Sequence, residues 1–287
     1  MLCKICGSAS STIGNIEGRF SKRSFYLMYC PVCHFRFVAN PDTDYANIYN
    51  EAYYTGRGPD PYIDYIFELD HPTETVRQYE WAGILCAVQS LVKVTPETRW
   101  LDYGCGNGGL VRYCQGQGLR EVVGFEEGWI VQKHAEFGIN TLSREALEAA
   151  GAFDVITSIE VIEHVQYPLE VFSAIRRLLK PGGLFFYTTG NAEPFRQRFS
   201  SWRYVAPEVH ISFFEPQTLE RALAMTGFKP AYVGMTPGFE DIVFYKLLKN
   251  LHQRRVNLLH KLAPRSLLAH TLDRFLRFAA HPIGWAV

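Results

Sequence analysis

The sequence predicts an α/β fold: a mostly parallel sheet with helices on both faces, preceded by a small cysteine-bound ribbon. Three observations carry this expectation. Short apolar runs alternate with helical stretches between residues 99 and 188, the rhythm of strands joined by crossover helices. A glycine-rich turn, LDYGCGNGG at 101–109, stands where the first of these strands gives way to a helix. Two CxxC pairs, Cys3/Cys6 and Cys30/Cys33, fall within the first 33 residues. In a reducing compartment such pairs read as a metal knuckle rather than as disulfides.

The elements follow in order. In residues 1–40, short apolar segments flank the cysteines and Gly7, Gly14 and Gly18 mark turns, so two hairpin-like knuckles are expected. Residues 41–95 form a connector, rich in tyrosine and proline at first and helical from Thr73 to Val92. RWLDYG is a buried strand, LVRYCQGQG a helix, EVVGFEE a second strand and WIVQKHAEFG a helix closed by Gly138. INTL and FDVITSI are the third and fourth strands. LEVFSAIRRLLKPGG, at 169–183, is an amphipathic helix stopped by Pro-Gly-Gly, and LFFYTT is the fifth strand. A helix, PQTLERALAMTG, and two strands near 228–234 and 241–247 complete a core over 96–247. Residues 248–287 are a basic helical extension. From 246 onward the chain carries eight Lys/Arg and a single acid, Asp273.

Composition narrows the function. The 287 residues hold 29 basic and 29 acidic side chains, a balance that gives no support to a general nucleic-acid binder. Met1 and Leu2 run straight into the first cysteine pair, so no signal peptide is expected. No apolar run approaches the ~20 residues of a membrane span. The expectation is a cytoplasmic protein. Its cationic extension either rests on an anionic membrane surface or packs on the core with a solvated basic face.

The glycine turn is the main chemical signal. Gly104 and Gly106, with Cys105 between them, lack the Cβ atoms that would keep a ligand from the backbone. Twenty-two residues past Gly104, Glu126 ends the second strand, where a carboxylate can accept hydrogen bonds from ribose hydroxyls. Together they describe a nucleoside-binding crevice at the C-terminal edge of a parallel sheet.

LDYGCGNGG, VVGFEE, FDVITSIEVIEHV, RRLLKPGGLFFYTT and HISFFEPQTLERALAMTGF, in that order, resemble the successive motifs of class I S-adenosylmethionine-dependent methyltransferases. The resemblance implies a seven-stranded sheet with the last strand antiparallel. It implies that Asp102, Gly104 and Gly106, with Cys105 in the same turn, shape the methionine end of the cofactor site. Glu126 would hold the ribose, Ser143 and Arg144 would lie near adenine, and Ser158, Ile159 and Glu160 would lie close to the sulfonium.

Three readings of SIEVIEHV stay open. Glu163 and His164 make capping or packing hydrogen bonds after the fourth strand. Alternatively His164 is a general base, since an imidazole titrates near neutrality. In the third reading Glu160, Glu163 and His164 share one side of a helix and bind a second divalent metal. The stretch resembles the ExxEH site of ubiquinone O-methyltransferases and of small-RNA 2′-O-methyltransferases, with His210 as a further ligand. His210 is also a catalytic candidate, beside a reading in which it merely precedes a capped helix.

The four cysteines suit a closed tetrahedral zinc site that stabilises the ribbon and does no chemistry. CxxCG…CxxC followed by IYNEAYYTG resembles bacterial methyltransferases with an N-terminal zinc segment, some acting on nucleotide-linked sugars. That resemblance makes Tyr53, Tyr54 and Tyr62 candidates for acceptor contact, beside their reading as interface packing. The extension is shorter than the C-terminal domain of the sugar C-methyltransferases. The resulting expectation is methyl transfer to a small molecule, with sugar, polysaccharide or secondary-metabolite precursors favoured. The alternatives are metal-dependent RNA 2′-O-methylation and a non-catalytic zinc-ribbon interaction protein.

Overall fold

The computed structural model describes residues 1–59, 63–232 and 237–268 and the backbone of 283–286. At the N-terminus, β1 (Ser11–Glu17), β2 (Ser24–Tyr29) and β3 (Arg36–Val38) form an antiparallel ribbon. Alternation sets the inner face of β2: Phe25 and Leu27 are buried while Ser24 and Tyr26 are exposed. All three residues of β3 are buried, because a strand from the distant core, β9 (Ser212–Phe213), pairs along its other edge.

The connector folds as short capped helices. These are α1 (Tyr45–Ile48), α2 (Glu51–Tyr54) and α3 (Tyr65–Asp70), whose N-cap side chains Asp44, Asn50 and Asp64 accept amides of the first turn. Then α4 (Gln78–Leu91) buries Trp81, Ile84, Leu85 and Val88, the three-and-four spacing of one helix face.

The core sheet starts with β4 (Trp100–Tyr103), α5 (Gly109–Gly116), β5 (Val122–Phe125), α6 (Val131–His134) and β6 (Thr141–Leu142). It continues with α7 (Arg144–Ala149), β7 (Phe153–Ile159), α8 (Pro168–Leu178) and β8 (Leu179–Thr188). After β9 come α9 (Pro216–Met225), β10 (Pro230–Tyr232), α10 (Phe239–Asn250), α11 (Leu258–Leu262) and β11 (Ile283–Ala286). The strand order is β10-β11-β8-β7-β4-β5-β6. The sheet has seven strands, and five of them, β6, β5, β4, β7 and β8, pair in parallel. The other two join through antiparallel pairings, β8 with β11 and β11 with β10. From β4 the chain adds β5 and β6 on one side and then crosses back to add β7 and β8 on the other, and the crevice at the C-terminal ends of β4 and β7, where the strand order switches, is where open α/β sheets bind ligands.

Two expectations need correction. The stretch 241–247 is not a strand: it lies in α10, which has Glu240 and Asp241 in its first turn and buries Ile242, Val243, Phe244, Tyr245 and Leu248. A short apolar run does not by periodicity alone separate strand from helix. The helix expected to 183 stops at Leu178, and Pro181, Gly182 and Gly183 lie inside β8, beside a shift in its pairing with β7. Gly182 takes a positive φ there, 76°, which glycine adopts without the Cβ penalty. The first residues of the supposed tail thus belong to the body, since α10 packs on α4. Farther on, Leu258, Leu259 and Leu262 of α11 are exposed. Among the described residues no helix is long and apolar enough to cross a membrane.

Both faces of the sheet are covered. On one, Trp100, Val155, Leu184 and Phe186 pack with Trp81, Ile84 and Leu110. On the other, Leu101, Ile156 and Phe185 join Phe172, Ile175 and Leu219 in a cluster that runs on to Phe35, Phe37 and the ribbon cysteines.

Candidate active site

The turn after β4 holds Gly104 at φ 75° and Gly106 at φ 53°. A Cβ on Gly104 would come within 2.6 Å of Val161. One on Gly106 would meet no atom within 4 Å, so that face of the turn is open to a ligand. Glu126, one residue beyond β5, clasps the turn. Its carboxylate accepts the Gly106 amide at 2.9 Å and the amides of Glu127 and Gly128 at 2.8 Å each. Burial pushes its pKa above the ordinary value while the three amides pull it back. Asp102 is buried and accepts the Thr157 hydroxyl at 2.7 Å. Burial raises it to about 7. His134 Nε2 lies 2.9 Å from the Gly106 carbonyl; with Nε2–H donating, the ring fixes the turn from behind. Burial lowers its pKa, which favours that neutral form.

Asp102, Gly104, Cys105, Gly106, Glu126, Ile159 and Glu160 all line one cavity of about 1450 Å³. Ligand pockets span roughly 300–1,000 Å³, so this volume accommodates a nucleoside cofactor and an acceptor together. Ser143 and Ser158 are not in its lining. Ser143 instead caps α7 by accepting the Ala146 amide at 3.1 Å, and Ser158 is wholly buried. Arg144 lies at the rim, in a two-pronged ion pair with Glu127 at 2.6 and 2.7 Å. Tyr53 and Tyr54 line the cavity with their rings edge-on at 5.1 Å. Tyr62 lies outside the described residues.

SIEVIEHV does not present one helical face. Glu160 sits at φ 55°, and only Ile162–His164 form a short 3₁₀ turn. The reversal sends Glu160 toward Lys246, 3.4 Å away. The ligand atoms that converge within 4.8 Å are those of Glu163, His164 and His210; Glu160 is outside that group, which alters the expected triad. Glu163 is fully buried and takes hydroxyl donors from Tyr204 at 2.5 Å and Thr189 at 2.8 Å. Burial and the charge of Glu160 push it up to about 8. His164 is driven the other way, to about 3, by burial and the neighbouring His210 ring. A carboxylate and two imidazoles at this spacing match the donor types of a divalent metal. Yet both Glu163 oxygens already accept protein hydroxyls, so the group is held together without an ion.

His210 Nδ1 lies 2.6 Å from the backbone oxygen of Tyr204. A carbonyl only accepts, so Nδ1 carries the proton and Nε2 is the basic nitrogen. The ring lies tilted against Tyr204, with centroids 4.2 Å apart, and edge-on at 4.8 Å to His164. His164 Nδ1 in turn meets the Tyr49 hydroxyl at 2.9 Å and the Val209 carbonyl at 3.0 Å.

Sequence reasoning missed Tyr49, Tyr204, Arg77, Glu80 and Lys246, all of which line the cavity. The last three form an ion chain: Arg77 to Glu80 at 3.2 Å, Glu80 to Lys246 at 2.9 Å, and Lys246 onward to Glu160. Tyr49 lay inside the quoted IYNEAYYTG stretch, whereas α4 and α10 carry no chemical motif that marks their charged residues.

Away from the cavity, the Sγ atoms of Cys3, Cys6, Cys30 and Cys33 lie within 4.8 Å of one another. Cys3 and Cys33 are 3.5 Å apart, Cys6 and Cys30 3.4 Å. Zn–S bonds of about 2.3 Å in a tetrahedron put sulfurs about 3.8 Å apart, so the set fits that ion closely. His34 is not part of it; its Nδ1 bonds the Tyr29 hydroxyl at 2.7 Å.

An open parallel sheet, a glycine turn gripped by the acid of the next strand, and a large crevice beside them define a nucleoside-cofactor transferase. The chain belongs to the methyltransferase-domain family, whose model matches residues 74–233, and by that membership it is an S-adenosylmethionine-dependent methyltransferase domain. It is similar to proteins named ubiquinone biosynthesis O-methyltransferase. The one from Nitrosococcus oceani is 40% identical over 107 residues, covering 33% of this chain and 45% of that protein. The one from Cereibacter sphaeroides is 42% identical over 106 residues, covering 33% and 42%. The chain thus spans less than half the length of these curated relatives. Among solved structures it resembles phosphoethanolamine N-methyltransferase 2 of Haemonchus contortus in complex with S-adenosyl-L-methionine. The TM-score is 0.52 at 18% identity, covering 88% of this chain and 61% of that one, a likeness of fold. Family membership overturns the reading of the chain as a non-catalytic interaction protein.

Proposed function

We propose that this chain methylates a hydroxyl of a small-molecule acceptor, with His210 Nε2 as the base. One observation carries the reading: the open Gly106 face and the His210 ring line a single cavity whose volume holds cofactor and acceptor at once. S-adenosylmethionine supplies, when bound, a methyl group on a positively charged sulfur that is already a strong electrophile. The residues here fit that cofactor, since the Gly106 face is open to a ligand and Glu126 is a half-buried acid at the strand end where ribose hydroxyls are read. The Tyr49, Tyr53 and Tyr54 rings wall the crevice and exclude water. Placing the acceptor oxygen in line and taking its proton onto His210 is the remaining task.

In this reading the acceptor is a sugar or a polysaccharide or secondary-metabolite precursor, which the cysteine ribbon and tyrosine-rich connector support by resemblance. The names of the curated relatives favour a second acceptor class, an intermediate of ubiquinone biosynthesis. A thermal-shift screen of nucleotide sugars and of phenols, each with S-adenosylhomocysteine, separates the two. Stabilisation by the sugars alone supports the first, and by phenols alone the second; no stabilisation by S-adenosylhomocysteine itself removes both. The four cysteines hold one structural zinc in this reading.

A further inference from the structure

The cysteine knuckle and the base side of the crevice are joined by contacts that methyl transfer itself does not use. β3 pairs with β9, setting Arg36 opposite Phe213 and Phe37 opposite Ser212. The ladder continues upstream: the Val38 amide donates to the Ile211 carbonyl at 2.9 Å, and the Ile211 amide donates to the Glu163 carbonyl at 2.8 Å. Ile211 follows His210 directly. On the other side, the Thr218 hydroxyl donates to the Cys33 carbonyl at 2.6 Å. Arg36 forms a 2.6 Å ion pair with Glu215, and the two side chains are 5% and 0% exposed. Arg196 donates to the second Glu215 oxygen through Nε at 2.9 Å. At the near end of the segment, Glu208 accepts the Phe20 amide in the β1–β2 turn at 2.9 Å.

Residues 208–218 are therefore pinned to the ribbon at both ends and in the middle. A buried ion pair adds little net stability, but removing one partner is costly because the other is left uncompensated; its effect is to fix one arrangement. The cofactor turn takes no part in this frame. The Gly104 amide goes to the Phe125 carbonyl and the Gly106 amide to Glu126. We propose that the ribbon is the frame of the acceptor half of the site alone, and that Arg36 is a positioning residue for His210. The inference rests on the reading of His210 as the base.

The test uses the full chain with ¹⁵N-labelled histidine, whose two-bond N–H correlations report which ring nitrogen of His210 carries the proton. S-adenosylhomocysteine binding is measured by calorimetry on the same samples. In Arg36→Met the single Nδ1–H form of His210 is expected to give way to a mixture, with cofactor-product affinity kept within about twofold. Arg36→Lys is expected to restore part of the wild-type spectrum. Thr218→Val cuts the second tie and should act in the same direction, and it carries both measurements if Arg36→Met does not fold. An unchanged His210 spectrum overturns the proposal. So does a parallel loss of S-adenosylhomocysteine binding, because the ribbon would then hold the whole domain. If the wild-type chain binds no S-adenosylhomocysteine, the functional reading fails while the His210 spectra still decide this one.

Discussion

The Tyr204 hydroxyl donates to the Glu163 carboxyl across 2.5 Å, with no part of Glu163 exposed to solvent. Burial and Glu160 lift Glu163 to about 8, so the folded chain holds a proton there that the unfolded chain releases near the ordinary carboxylate value. Between those two values the unfolded state binds fewer protons, and stability falls as pH rises. Above about 8 the contribution is lost. Glu163→Gln keeps the shape and removes the titration. The wild type is expected to lose about 1.4 kcal/mol per pH unit relative to the variant between roughly pH 5 and 7. Urea titrations of both proteins across that range measure it, and parallel stability profiles would refute the assignment.

Gly106→Ala separates backbone cost from ligand clash. Its φ of 53° makes any L side chain strained, at a cost of roughly 1–3 kcal/mol. The added Cβ meets no protein atom, so no further loss of stability is expected. If the cofactor approaches the chain at this turn, affinity for S-adenosylhomocysteine should nevertheless fall more than about tenfold, because the added methyl group would stand in its way. Calorimetry showing unaltered affinity would move the cofactor away from this turn.

The five parallel strands and the glycine turn with its acid were legible because each rests on local pattern: apolar runs, glycine and a following carboxylate. Four features were not. The turn at Glu160 depends on a positive φ in a non-glycine residue, which tertiary contact imposes and sequence does not announce. DIVFYKL reads equally as strand or helix, and its burial against α4 decided for helix. The edge strand β9 is two residues long and owes its place to β3, some 175 residues earlier in the chain by their paired register. The convergence of Tyr204, Thr189 and Glu163 was hidden for the same reason, since nothing local joins their three segments.

For the cysteine knuckle, the expected result is one zinc per chain by elemental analysis of protein purified without chelators. Cys33→Ser should lose that metal and expose residues 1–40 to limited proteolysis, because Cys33 is buried in the same apolar cluster as Phe35 and Phe37. Wild-type protein with four titratable thiols and no metal would show that the cluster is held by packing alone.

His210 and the metal reading are separated by a pair of measurements. If His210 is the base, His210→Ala should slow methyl transfer by about 10²–10⁴-fold and leave S-adenosylhomocysteine affinity unchanged, because the ring accepts a proton and does not touch the Gly106 turn. The wild-type enzyme should then keep its turnover in EDTA, since Glu163 is already satisfied by Tyr204 and Thr189. If Glu163, His164 and His210 instead hold a divalent ion, the same EDTA treatment abolishes turnover with cofactor-product binding intact, and added Mg²⁺ or Mn²⁺ restores it. Wild-type turnover in His210→Ala removes the residue from both roles, because neither a base nor one of three ligands is dispensable.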